Sequence, residues 1–126
     1  MKKKILSLSL GLFLLTGTSA FAATGPINTT SSNTTVYDFN DGEISSMSGT
    51  VTSYAVDTIK SKNLFYRGGT LLSENEEVDY NNHFVLAYSP DFKLIRGFTY
   101  YAAGIHTVIH NGVTYTHSSS KVVEKN

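Results

Sequence analysis

The sequence predicts an all-β protein, a small antiparallel β-sandwich or barrel that follows a cleaved N-terminal signal helix. Three observations predict it. Tyr, Phe, Val, Ile and Thr recur in short alternating runs, and such residues pack well on pleated strands. Turn residues separate these runs at close spacing, among them Asp41-Gly42, Gly68-Gly69, Ser89-Pro90-Asp91 and Asn111-Gly112. No stretch beyond residue 23 keeps a 3.6-residue apolar period between helix caps.

Residues 1–23 read as a secretory signal peptide. Lys2, Lys3 and Lys4 form a positive leader, and Ile5 to Leu15 is an apolar run broken only by Ser7, Ser9 and Gly11. Ala20-Phe21-Ala22-Ala23 supplies the small residues of a cleavage site, after Ala22 or Ala23. The run is shorter than the ~20 apolar residues of a spanning helix, and no later run reaches that length. A secreted, extracellular domain without stable membrane insertion is therefore expected. The chain has no cysteine, which removes disulfides and any lipid carried on a cysteine. This leader and the missing cysteine have a bacterial style.

Residues 24–35 are rich in Thr, Ser and Asn with Ile27 the only aliphatic residue, the composition of a disordered spacer. One all-β domain is then expected over residues 36–126. Val36 to Phe39 leads into Asp41-Gly42, read as a two-residue hairpin turn that pairs Phe39 with Ile44 and Val36 with Met47. Gly49 breaks the next run, and Thr50 to Ile59 forms a longer strand. Leu64-Phe65-Tyr66 is a short strand, and Gly68-Gly69 is a bulge or bend. Ser73 to Asp79, with four acidic residues, reads as a loop or a single helical turn. Phe84 to Tyr88 and Phe92 to Tyr101 flank the turn Ser89-Pro90-Asp91. Finally, Ile105 to His110 and Val113 to His117 flank Asn111-Gly112, a strong hairpin signal.

Charge narrows the function classes. Loss of the three leader lysines leaves seven basic against ten acidic residues, a net charge of about −3 with His neutral. Nucleic acid and anionic membranes are bound by basic surfaces, so neither is an expected partner. No Cys nucleophile, G-x-S-x-G or H-E-x-x-H is present, and a non-enzymatic protein is expected.

Two groups of side chains are candidate sites. A two-residue turn at Asn111-Gly112 sets His110 opposite Val113, Val108 opposite Tyr115 and His106 opposite His117, all on one face. His106 and His117 are thus candidate metal ligands, while His110 lies too far along the strand to join them. Two ligands fall short of the three or four that zinc sites use, so the plainer reading is a histidine pair at the rim, with Val108 and Tyr115 inward. Two facing imidazoles would also repel if both were charged, loosening the hairpin below about pH 6. Tyr100 and Tyr101, adjacent on a strand, must point opposite ways and are candidates for contact with a protein or carbohydrate partner. No cofactor is implied. The leading expectation is a secreted binding module, with a secreted antagonist or a small metal-dependent hydrolase as alternatives.

Overall fold

The computed structural model describes residues 24–126, so the expected signal helix lies outside the described residues. Six strands form an antiparallel sheet that curls into a half-barrel, and no helix occurs among the described residues. They are β1 (Asn33–Tyr37), β2 (Glu43–Arg67), β3 (Thr70–Tyr88), β4 (Phe92–Lys93), β5 (Phe98–His110) and β6 (Val113–Lys125).

β2 organises the fold. Its 25 residues would reach roughly 80 Å when extended, at about 3.3 Å per residue. A domain of this size has a radius of gyration of about 13 Å, so the strand must fold back over itself. It bends where the pairing with β3 shifts register between Val51 and Val56, leaving Ser53, Tyr54 and Ala55 exposed. β3 follows β2 along nearly its whole length on one side. On the other side β1 pairs with Ser45–Gly49 and β5 pairs with Thr58–Arg67. β6 continues the sheet from β5, and β4 pairs with Glu43 and Ile44.

The bend sets the first half of β2 against its second half and β5. The interior has three zones. At one end Ile44, Phe65, Tyr100 and Ala102 are buried together, with Val36, Leu72, Phe92 and Leu94 packed around them. At the other end Ile27, Val56, Ile59 and Val108 are buried, with Val85 and Tyr115 against them. Between these apolar ends lies a buried polar belt of Thr34, Ser46, Ser48, Thr50, Ser61, Asn63 and His106. A smaller group, Leu64, Tyr66 and Ala103, is buried on the outer face.

Several expectations need correction. Residues 24–32 are not a free spacer. Ile27 bridges Thr52, Asn28 N–H donates to Val51 O, and Ser53 N–H donates to Pro26 O, so the segment covers the bend in β2. Short polar side chains that suggested disorder instead bond the backbone: Asn28 Oδ1 accepts from the N–H groups of Thr30 and Ser31, and Ser32 Oγ exchanges bonds with Val51. The first hairpin is one residue out of the expected register. Val36 faces Ser46 and Tyr37 faces Ser45, joined by a loop with Asn40 and Gly42 at positive φ. Gly49 does not break β2, and the acidic run from Glu74 to Asp79 lies within β3. Gly68-Gly69 is a two-residue turn between Arg67 and Thr70, and residues 92–101 are split between β4 and β5.

The last hairpin has the expected register: His110 faces Val113, Val108 faces Tyr115, and His106 faces His117. Asn111 and Gly112 both have positive φ, as a type I′ turn requires. An added Cβ at Gly112 meets nothing, so Gly112→Ala isolates the backbone term. It should destabilise the protein by about 1–2 kcal/mol, read as a lowered urea midpoint at unchanged slope.

Candidate functional site

The polar belt is the most highly built part of the molecule, and a continuous hydrogen-bond chain runs through it. Ser46 Oγ donates to Asn63 Oδ1 at 2.8 Å, and Asn63 Nδ2 donates to Ser48 Oγ at 2.9 Å. Ser48 Oγ lies 2.9 Å from Thr34 Oγ1, which lies 2.7 Å from Ser119 Oγ. Ser119 Oγ lies 2.7 Å from His106 Nε2. His106 Nδ1 lies 2.8 Å from Thr50 Oγ1, and Thr50 Oγ1 donates to Lys60 O at 2.8 Å.

Strand geometry explains the convergence. Alternate residues of a strand share a face, so Ser46, Ser48 and Thr50 of β2 point inward together, as do Ser61 and Asn63 after the bend. Asn63 pairs with Gly104 and Ser61 with His106 on β5, while Gly104 and His106 pair with Ser119 and His117 on β6. β1 and β6 are not paired as strands; the bond from Thr34 to Ser119 joins them across the seam of the curl. Gly104 leaves the room this requires, since a Cβ there would run into Thr34 Oγ1, Ser48 Oγ and Ser119 Oγ.

His106 is therefore not at a rim, contrary to expectation, but fully buried. Burial, and secondarily the charge that His117 can carry, push its pKa down to about 3. Burial also lowers that of His117, and the two rings stack with centroids 5.6 Å apart. The sign for stability follows. Above about pH 6.5, the ordinary histidine value, His106 is neutral in both folded and unfolded chains. As the pH falls below that value the unfolded chain takes up the proton first, and stability declines until the folded chain also protonates near pH 3. The loss is about 1 kcal/mol for each pH unit in that window.

The expected metal pair is brought together in space, but both ring nitrogens of His106 are held by hydroxyl groups. Among the described residues no group of three or more His, Asp or Glu is placed to hold a metal ion. Ser119, His106 and Thr50 do resemble a nucleophile, a base and an orienting group in their spacing. The orienting group is a hydroxyl rather than a carboxylate, however, and a base with so low a pKa has little hold on a serine proton at neutral pH. Chemically, the belt can hold protons in place better than it can transfer them.

The tyrosine candidates separate. Tyr100 is fully buried between Phe65 and the residue 94–97 segment, and its hydroxyl accepts from Ile95 N–H at 3.0 Å. It is a core residue and cannot present its ring to a partner. Tyr101 is half-buried on the outer face against Tyr66, ring centroids 5.8 Å apart. The exposed aromatics lie elsewhere, at Phe39, Tyr54, Tyr80, Phe84, Tyr88 and Phe98. His110 lies over the bend instead: its Nδ1 accepts from Asp57 N–H, and Asp57 Oδ2 accepts from Asn111 N–H. Of these, Tyr80, Phe84 and Tyr88 lie on β3, which continues directly from the acidic run.

No family model and no curated protein matches the chain. Among solved structures, the solution structure of AT1g01470 from Arabidopsis thaliana is similar at 10% identity and a TM-score of 0.43, over 72% of this chain and 76% of that one. Likeness at that level carries no inference about function.

Proposed function

We propose that the protein is a secreted, non-enzymatic binding module of bacterial origin whose partner is a protein or carbohydrate outside the cytoplasm. One observation carries the reading: the outer face of β3. Val78, Tyr80, Phe84 and Tyr88 stand exposed along it, Tyr80 by 64% and Tyr88 by 55%. Cross-strand partners on β2 put each of them on the outside, one pair on either side of the bend: Val78 and Tyr80 oppose Lys60 and Thr58, and Phe84 and Tyr88 oppose Val51 and Met47. Tyrosine and phenylalanine offer large contact area at small entropic cost, which suits recognition surfaces. The curled sheet, read as a small open barrel, would hold this face rigid while the interior takes no part in contact. The signal-like residues 1–23 motivate the extracellular setting.

The test is retention of purified protein on immobilised cell-wall polysaccharides and secreted proteins. Tyr80→Ser with Phe84→Ser should weaken the retained interaction about tenfold or more, as loss of aromatic anchors does. Absence of any retained ligand, or equal retention of the double variant, would reject the reading.

A further inference from the structure

The direction of the hydrogen-bond chain can be settled by counting hydrogens. Lys60 O is a carbonyl and can only accept, so the single hydroxyl hydrogen of Thr50 is committed to it. Thr50 Oγ1 must then accept from His106, which places the imidazole hydrogen on Nδ1. With His106 neutral, Nε2 accepts from Ser119, Ser119 accepts from Thr34, and Thr34 accepts from Ser48. Ser48 in turn accepts from Asn63, whose oxygen accepts from Ser46. Every hydroxyl in the chain donates once and accepts where it must.

A proton on Nε2 breaks this order. Ser119 must then accept from His106, and either it goes on accepting from Thr34 while its own hydrogen leaves the chain, or it donates to Thr34 and Thr34 must donate to Ser48. The first arrangement gives up the bond that Ser119 donates to His106 at the half-buried end of the chain; in the second, Ser48 receives bonds from both sides and its own hydrogen has no acceptor. Turning over the Asn63 amide only passes the fault along, leaving the Ser46 hydrogen without one. A buried donor without a partner is costly in addition to the buried charge itself. Nothing around His106 offsets that charge. His117 of β6 is stacked on it, Thr50 and Ser61 of β2 and Thr34 of β1 are uncharged, and Glu77 of β3 lies beyond Ser61 at the exposed edge. Lys60 and Lys62 alternate with Ser61 and so point to the other face.

We propose that the chain is an acid-sensitive latch across the β1–β6 seam, closed while His106 is neutral and opened when it is protonated. The seam has no strand pairing of its own, and a proton on Nε2 reverses the Ser119 to His106 bond that holds it together with the Thr34 to Ser119 bond. β1 and β6 then keep one ladder each, to β2 and β5, whereas no bond of the β2–β3 ladder crosses the seam.

Hydrogen exchange of the purified protein, corrected for intrinsic rates, tests this between pH 7 and pH 4. Amides of β1 and β6 should open about a hundredfold more often at pH 4 than at pH 7, with the β2–β3 ladder changed far less. Nitrogen NMR of the His106 ring at pH 7 should show hydrogen on Nδ1 and a bare Nε2. His106→Gln, which stays neutral, should abolish the pH dependence at the seam, and His117→Gln should retain most of it. The proposal is overturned if Nε2 carries the hydrogen at neutral pH, or if all strands lose protection together. It also fails if a folded His106→Gln protein keeps the same acid response. Should His106→Gln not fold, the ring tautomer and the exchange pattern of the unmodified protein decide the matter.

Discussion

Gly104→Ala should cost the protein most or all of its stability. The methyl group would enter the point where Thr34, Ser48 and Ser119 meet, in the middle of β5. Overpacking alone costs about 1–3 kcal/mol. The three hydroxyls cannot retreat without breaking the bonds that link them, and each buried group left unpaired adds about 1–3 kcal/mol. A combined loss of roughly 4 kcal/mol or more is expected against the 5–15 kcal/mol typical of such a domain. That corresponds to a melting temperature lower by about 15 °C or more, since 1 kcal/mol shifts a domain of this size by at least about 4 °C. Gly49→Ala supplies the contrast. Its Cβ would meet chiefly the end of the Leu86 side chain, which can turn aside, and the cost should be about 1 kcal/mol. Similar melting of the two variants would show that Gly104 is not the keystone described above.

Asn63→Leu should produce the second large effect, for a different reason. Leucine is close to asparagine in size, so little cavity forms. The change deletes the acceptor of Ser46 and the donor to Ser48, both fully buried. About 3 kcal/mol should be lost, from an orphaned hydroxyl on Ser46 and an interrupted chain at Ser48. Adding Ser46→Ala removes the orphan and should restore about 1 kcal/mol, because deleting both partners costs less than deleting one. Urea titrations of the two single variants and the double variant measure this directly. Strict additivity would mean that the Ser46–Asn63 bond contributes nothing.

What was legible in the sequence depended on how firmly each turn sets register. Asn111-Gly112 admits one two-residue geometry, so the facing of His106 and His117 follows residue by residue. Asp41-Gly42 carries a similar signal, but the loop starts earlier, with Asp41 Oδ1 accepting from Glu43 N–H and Asp38 Oδ1 from Asn40 N–H. Slippage by one residue exchanges the faces of a strand. The expected register sets Val36 beside Met47, whereas the observed one sets it beside Ser46, with Ser46 and Ser48 turned inward. That error hid the belt. Ser46, Ser48, Thr50, Ser61 and Asn63 have the composition of a wet face, and binary patterning assigns such positions to solvent. Their burial depends on distant partners, Thr50 on His106 56 residues away in sequence, which no local window contains. The one visible hint was Gly104, a glycine inside a strand, which often marks a close approach. The acidic run misled for the opposite reason: its charges suggested a loop, yet an edge strand tolerates them because its outer side faces water.

That outer side has a consequence of its own. Among the described residues β3 pairs only with β2, so nineteen residues of backbone have one edge unpaired by any described strand. Such an edge is a template on which further chains can add and fibrils can grow. Glu74, Glu76, Glu77 and Asp79 crowd its first half, and only Glu74 is paired, with Lys62 at 3.1 Å. Hydrogen bonds from Asn82 and the Tyr80 N–H hold the Asp79 carboxyl below its ordinary range, so that charge persists into mildly acid solution. A second copy approaching this half edge to edge would bring like charges together. The charge of this run, most of it without a cationic partner among the described residues, opposes templated addition at the edge.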